Sequence, residues 1–287
     1  MRCDLHVHTR HSGMCTVPVF KRFCRESYND PLALYETLKR RGMQIVTVTD
    51  HDSVGAAEVL RRFPDFFVSE EVTCILPSGT EAHIAVYDIT ERQHVEIQAR
   101  RNDMPRLLAF LREQDLLFGV NHAFSALTGR RHAADFALFE AEFPILETRN
   151  GHIPARSNRT AARMAARCGK IATGGSDSHT MGPLARTWTE VPGARNVREF
   201  LDGLRAGRAI VAGADGTPWL LTRTVLETGG YFVRELGWPA VLFPLFAVVP
   251  FSTARAHLRD ILFASLWGRR LEQAAPAPAR EQISVPA

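Results

Sequence analysis

The ionisable residues of this chain gather at the ends of short apolar blocks. His6 and His8 lie at and just beyond the block 3–6, Asp50 and His51 follow the β-branched run of 44–49, His122 comes directly after 117–121, and Asp177 and His179 come just after 170–174. Apolar blocks alternating with helical patterns predict βα units, whose strand ends converge on one face where active sites sit. Burying carboxylates and imidazoles at such ends is costly unless something neutralises them. The pattern therefore constrains fold and chemistry together. His83 is the exception, because it precedes its own apolar run.

Strands are expected near 3–6, 44–49, 67–72, 83–87, 117–121, 145–147 and 170–174. Asp30-Pro31 reads as an N-cap with proline at the first helical position, and Arg41-Gly42 as the end of that helix. Further helices are expected over 55–62, 91–114 and 156–168. From about residue 216 the character changes: the stretch 236–254 carries no charge and includes Trp238, Phe243, Phe246 and Phe251, with Pro239, Pro244 and Pro250 interrupting it. It reads as a hairpin packed on the main domain, a membrane-surface or partner-binding element, or a span. The Ala- and Pro-rich tail from about 273 is expected to be disordered.

With 287 residues, 45% of them hydrophobic, the chain can bury a large core. The net charge of +4 fits an anionic substrate but is too diffuse to indicate nucleic acid. Five cysteines without a CxxC pair argue against a disulfide framework or a zinc ribbon, and no basic region followed by an apolar stretch opens the chain, so a cytoplasmic protein is expected, with membrane association through 236–254 left open.

Three segments carry the chemistry. In Asp4-Leu5-His6-Val7-His8-Thr9, alternate positions on an extended backbone point the same way, so both imidazoles can reach one ion. Thr49-Asp50-His51-Asp52 ends a strand, where one aspartate also suits a helix N-cap. In Gly174-Gly175-Ser176-Asp177-Ser178-His179, two glycines permit a tight backbone and a carboxylate alternates with an imidazole, a pair that suits Zn²⁺, Mn²⁺ or Fe²⁺.

The ordered set HxH, TDH and SDSH resembles the PHP family, named for polymerase and histidinol phosphatase domains, over residues 1–213. The resemblance implies an α/β fold, a distorted (β/α)7 barrel of TIM-like form, as a domain at 1–215 with a mainly helical extension at 216–287. It also implies two or three divalent ions. His6, His8 and Asp177 would form one site with a bridging Glu71, for which Glu70 is the fallback; Glu71, His83 and His122 a second; His51 and His179 a third. Glu147, with Asn150, matches a segment lining the pocket.

Many family members carry an aspartate where this chain has Gly13, so the third site is expected to be weak unless His11 substitutes. The long loop 14–29, with Cys15, Cys24, Arg25 and Glu26, is expected to cover the mouth. The implied activity is hydrolysis of a phosphate ester by a metal-activated water, with a small phosphorylated substrate. Asp50, Asp52 or His179 would handle water and protons, and Arg10, Arg149 and Arg156 would bind phosphate oxygens. Two other readings are a metal-dependent amidohydrolase, disfavoured because no lysine lies between Lys39 and Lys170, and a non-catalytic accessory docking on a membrane or partner enzyme.

Overall fold

Two hydrogen-bonded sheets frame the molecule. The computed structural model describes residues 1–15, 24–236 and 243–274. In chain order the elements are β1 (Arg2–Cys3), α1 (Pro31–Arg40), α2 (Ala57–Leu60), β2 (Ser69–Ile75), β3 (Glu81–Tyr87), α3 (Glu91–Arg100), α4 (Met104–Glu113), β4 (Leu117–Val120), α5 (Ala133–Glu142), β5 (Ile145–Asn150), α6 (Ala155–Arg167), β6 (Ile171–Gly175), β7 (Thr187–Glu190), α7 (Val197–Arg205), β8 (Ile210–Gly213), α8 (Pro218–Leu236) and α9 (Phe243–Ala274). One sheet has the order β2-β3-β4-β5-β6 and the other β1-β7-β8.

The α/β class holds; among the described residues no ladder closes into a continuous sheet, so a closed (β/α)7 barrel is not shown, although isolated parallel bridges join Val7 to Ser178, Val46 to Phe66 and His51 to Glu71. Strands β4, β5 and β6 run parallel, whereas β2, β3 and β4 pair antiparallel. The cause is local: residues 76–80 form a short turn with Gly79 at φ +82°, too short to house the crossover helix that a parallel pair requires. The expected strand at 44–49 is extended without joining a ladder. Single hydrogen bonds thread it between the sheets, from Thr49 N to Val7 O at 3.0 Å and from Val46 N to Asp65 O at 2.9 Å.

Helix α1 begins as expected, with the Asp30 carboxylate accepting from Leu32 N and Ala33 N ahead of Pro31. The single helix expected over 91–114 is two, because Asp103 caps a second start by accepting from Arg106 N. Strands β7 and β8 and helix α5 went unanticipated. The last is apolar on most sides, burying Phe136 and Phe139, which erases helical periodicity.

The largest core lies between the five-stranded sheet and helices α3 to α6, and α9 completes it with Ala264 and Trp267. The Trp267 ring sits 4.8 Å from that of Phe136, and Asp260 accepts from Ser125 Oγ at 3.0 Å and Ala126 N at 2.8 Å. Helix α9 continues through Pro250, and Thr222 of α8 meets Thr253 of α9 at 2.6 Å. Among the described residues no helix is long and apolar enough to cross a membrane. Residues 237–242 of the uncharged stretch and the tail beyond 274 lie outside the described residues.

Candidate metal centre

The ends of β1, β2 and β6 are drawn together by the backbone. Asp4 accepts from Ser176 N at 2.7 Å and from Ala185 N at 2.8 Å, His8 N donates to Ser178 O at 3.1 Å, and Asp177 N donates to His6 O at 2.7 Å. That pairing sets His6 and His8 beside Asp177, whose backbone takes a left-handed φ of 54°. Gly175 permits the approach: a Cβ there would stand 2.3 Å from His6 N. On β2 alternation decides between two glutamates. Glu71 faces inward, while Glu70 turns to α3 and accepts from Gln98 Nε2 at 2.8 Å, with His94 Nδ1 also at 2.8 Å.

Glu71 is the hub. Its Oε2 lies 3.1 Å from His6 Nε2, 3.3 Å from His51 Nε2 and 3.4 Å from His8 Nε2. Its Oε1 lies 3.3 Å from His122 Nε2 and 3.5 Å from His83 Nδ1, and accepts from Asn121 Nδ2 at 2.8 Å. Asp177 Oδ1 adds contacts of 3.4 Å to His6 Nε2, 3.3 Å to His8 Nε2 and 3.7 Å to His179 Nδ1. Four donor sets result, each with its ligand atoms within 4.8 Å of one another: His6, His8 and Asp177; His6, Glu71 and His122; His51, Glu71 and His83; His8, His51 and His179.

Most of these separations exceed a good hydrogen bond of about 2.9 Å. Two ligands about 2.1 Å from a tetrahedral ion stand about 3.4 Å apart, so the spacing fits donors sharing ions. Orphaned atoms support that fit, since His8 Nε2 and His83 Nδ1, buried and facing the Glu71 carboxylate, have no hydrogen-bond partner.

Hydrogen bonds behind the cluster fix the tautomers. Ser12 Oγ donates to Asp50 Oδ1 at 2.8 Å, so it accepts from His8 Nδ1 at 2.9 Å and leaves Nε2 with a lone pair facing inward. His179 Nδ1 donates to Asp177 O at 3.0 Å, and His6 Nδ1 to Glu147 Oε1 at 2.8 Å. Burial, reinforced by His179 and His51, pushes the His8 pKa down to about 3, so that ring is neutral. Burial also opposes charge on His83, but Glu71 and Glu81 overcome it and raise its pKa to about 10. At His179, burial is outweighed by Glu26 and Asp177, and the pKa rises to about 9. Burial resists ionisation of Glu71, yet His6, His51 and His83 hold its carboxyl well below the usual range.

Several residues expected to act on substrate stand elsewhere. Asp50 is fully buried and accepts from Thr9 N at 2.5 Å, Thr9 Oγ1 at 2.6 Å and Ser12 Oγ at 2.8 Å, which ties it to the first motif. Asp52 accepts from Thr73 N at 2.9 Å and pairs with Arg101. Glu147 and Asn150 sit behind the cluster: Glu147 Oε2 accepts from His122 N at 2.8 Å and Asn150 Nδ2 at 3.1 Å, and Asn150 Nδ2 reaches Asp177 Oδ2 at 3.0 Å. Arg10 pairs with Asp30 at 3.3 Å at the surface, Arg149 bonds the Gly213 carbonyl, and Arg156 donates to Ser265 Oγ at 3.2 Å. His11 packs against Gly55 and joins none of the four donor sets.

Sequence reasoning missed one carboxylate. Glu26 places Oε2 3.5 Å from His51 Nε2 and Oε1 3.5 Å from His179 Nε2. The signal was available as a deficit: with Gly13 lacking a side chain, two imidazoles called for an acid from another segment. Burial opposes charge on Glu26, but His51 and His179 pull its carboxyl down to about 2.

A family model described as PHP-associated matches residues 155–209, which run from α6 through Asp177 and His179 to α7 and just beyond it. A curated relative, an uncharacterized protein of Methanocaldococcus jannaschii, is 30% identical over 69 residues; the matched stretch covers 24% of this chain and 39% of that relative's length. Two solved structures share the fold. PsfC from Pseudomonas syringae PB-5123 is 14% identical with a TM-score of 0.53, over 82% of this chain and 98% of that one. The lesion-specific endonuclease PfuEndoQ from Pyrococcus furiosus is 18% identical with a TM-score of 0.51, over 74% of this chain and 58% of that one.

Proposed function

We propose that this chain is a metal-dependent hydrolase and, within that class, a phosphoesterase acting on a small phosphorylated substrate. The observation that carries the reading is Glu71, with both oxygens 3.1–3.5 Å from the ring nitrogens of five histidines. Divalent ions of the zinc, manganese or iron type, when bound, supply Lewis acidity toward a phosphoryl oxygen and the attacking water.

The chain's own residues do the rest. Glu71 and Asp177 remain anionic, giving the site the negative charge that two or three cations need. Side-chain exposure falls from 12–20% at His51, His83 and His179 to 0–2% at His6, His8 and Glu71. Substrate therefore approaches from the His51, His83 and His179 side, while the interior side excludes water. At that rim Glu81 stands 3.3 Å from His83 Nε2, where a proton can be held or passed. The bridging position is a glutamate, and the sequence offers no lysine between Lys39 and Lys170, which favours phosphoester over amide chemistry.

A panel of phosphomonoesters and phosphodiesters supplied with Mn²⁺ tests the reading. Phosphate release from at least one class is expected. Hydrolysis confined to amides or lactones, with every phosphoester inert, would move the chain to the amidohydrolase alternative.

A further inference from the structure

We propose that Glu26 is the carboxylate ligand of a third metal site with His51 and His179, and that helix α8 positions it there. This rests on the metal-dependent reading of the centre and extends it to a residue from outside the shared motifs. The third donor set otherwise holds only imidazoles, from His8, His51 and His179, and no carboxylate. Glu26 supplies the missing anion, with Oε2 3.5 Å from His51 Nε2 and Oε1 3.5 Å from His179 Nε2, separations close to those of ligands around a tetrahedral ion.

The geometry is built and not incidental, because residues 24–29 are pinned on two sides. Toward the first motif, Glu26 N donates to Gly13 O at 3.1 Å, Cys15 N donates to Cys24 O at 2.9 Å and Arg10 N donates to Asn29 O at 3.0 Å. Ser27 Oγ and Asn29 Nδ2 both donate to His8 O, at 3.1 and 3.0 Å, so the segment carrying Glu26 is bonded to the backbone of another ligand. Toward the C-terminal extension, the Tyr28 ring stacks on Tyr231 of α8 at 5.6 Å, and Arg25 Nε lies 3.9 Å from Glu235 Oε1. His152, buried beneath the site, is within 2.8 Å of Ser176 O and 3.0 Å of Thr224 Oγ1 of α8, tying the same helix to the loop that carries Asp177 and His179. Helix α8 thus braces two of the three segments that supply third-site ligands, those carrying Glu26 and His179. A carboxylate held this way costs little to order when the ion arrives, which is the condition for tight binding.

The test is calorimetric titration of the chelated full chain with Mn²⁺ and with Zn²⁺, without substrate, checked by elemental analysis after dialysis. Three ions per chain are expected for the wild type and two for Glu26→Gln, the first two binding unchanged. Tyr231→Ala, which leaves every ligand in place, should weaken only the third ion, by about tenfold, as expected for groups that orient a ligand. Its third-ion affinity keeps the proposal testable if Glu26→Gln fails to fold. Three ions of unchanged affinity in Glu26→Gln, only two in the wild type, or an unmoved third ion in Tyr231→Ala would overturn it. Absence of any bound ion in the wild type would instead sink the metal-dependent reading beneath it.

Discussion

The interior and the rim of the centre are made differently. Around His6, His8, Glu71 and Asp177 every ligand sits within a strand or a few residues beyond one, and buried hydrogen bonds from Asp50 through Ser12, from Glu147 and from Asn150 orient the ligands. Around His51, His179 and Glu26 the acid comes from a segment outside the sheets, braced by a helix some two hundred residues further along the chain. Fixed strand geometry preorganises the first region, while the second depends on tertiary contacts between distant segments. Its metal affinity should therefore be the more adjustable.

The largest expected effect lies in the interior. Glu71→Gln removes the charge shared by five imidazoles and leaves the mutual repulsion of neighbouring cations uncompensated, so turnover should fall by at least about a thousandfold, equivalent to about 4 kcal/mol of lost stabilisation. Asp177→Ala should approach it. Ion content measured alongside turnover separates lost metal from a slowed step, and wild-type turnover in Glu71→Gln at full loading would break the distinction between hub and rim.

Gly175→Ala should come next. A Cβ 2.3 Å from His6 N must displace the strand that carries both early histidines, costing on the order of 1–3 kcal/mol in stability and disordering the interior ligands. A melting temperature equal to wild type would show that the strands have room to spare.

Glu147→Gln tests orientation without removing a ligand. It weakens the hold on His6 Nδ1, so affinity for the interior ions should drop by about 10- to 100-fold while the third ion is unaffected. If third-ion affinity falls instead, the two regions are not separable in the way drawn here.

The pH dependence should be gentler. In metal-free protein His83 and His179 have pKa values raised to about 10 and about 9, above the unfolded value of about 6.5. Their imidazolium–carboxylate contacts stabilise the metal-free fold fully below about pH 6.5, and that contribution is lost as pH rises through 9 to 10. Ions compete with those same protons, so metal affinity should rise from pH 6 to 9, with proton release visible as a buffer-dependent heat of binding. Binding heats independent of buffer at pH 7 would contradict this.

The contrast also marks what the sequence could convey. His6, His8 and Asp177 are legible because alternation on an extended backbone is a local rule, whereas the preference for Glu71 over Glu70 came from the family resemblance, since alternation puts the two on opposite faces without saying which faces inward. Glu26 is not, since nothing local to Cys24-Arg25-Glu26-Ser27 states which strand end it will face. The hydrogen bonds that Asp50, Glu147 and Asn150 make are not legible, because residue type and position do not reveal which neighbours a side chain's polar atoms will meet. The antiparallel β2–β3 pair was hidden for a related reason: two apolar strands look alike whether a helix or a tight turn joins them, and Gly79 alone marked the turn. Helix α9 joins the core through Trp267 and Asp260, contacts spanning more than a hundred residues, so its uncharged sequence gave no sign of where it would dock.

The central claim is that the carboxylates and imidazoles around Glu71 hold ions that hydrolyse phosphate esters. Its most direct test follows phosphate release from the best phosphoester of the panel through chelation, dialysis and stepwise Mn²⁺ addition, with bound metal counted at each step. The account predicts no release from the chelated protein and recovery that tracks filling of the interior sites, reaching its maximum as the third ion binds. Release that persists in metal-free protein, or its absence at full metal occupancy, would contradict it.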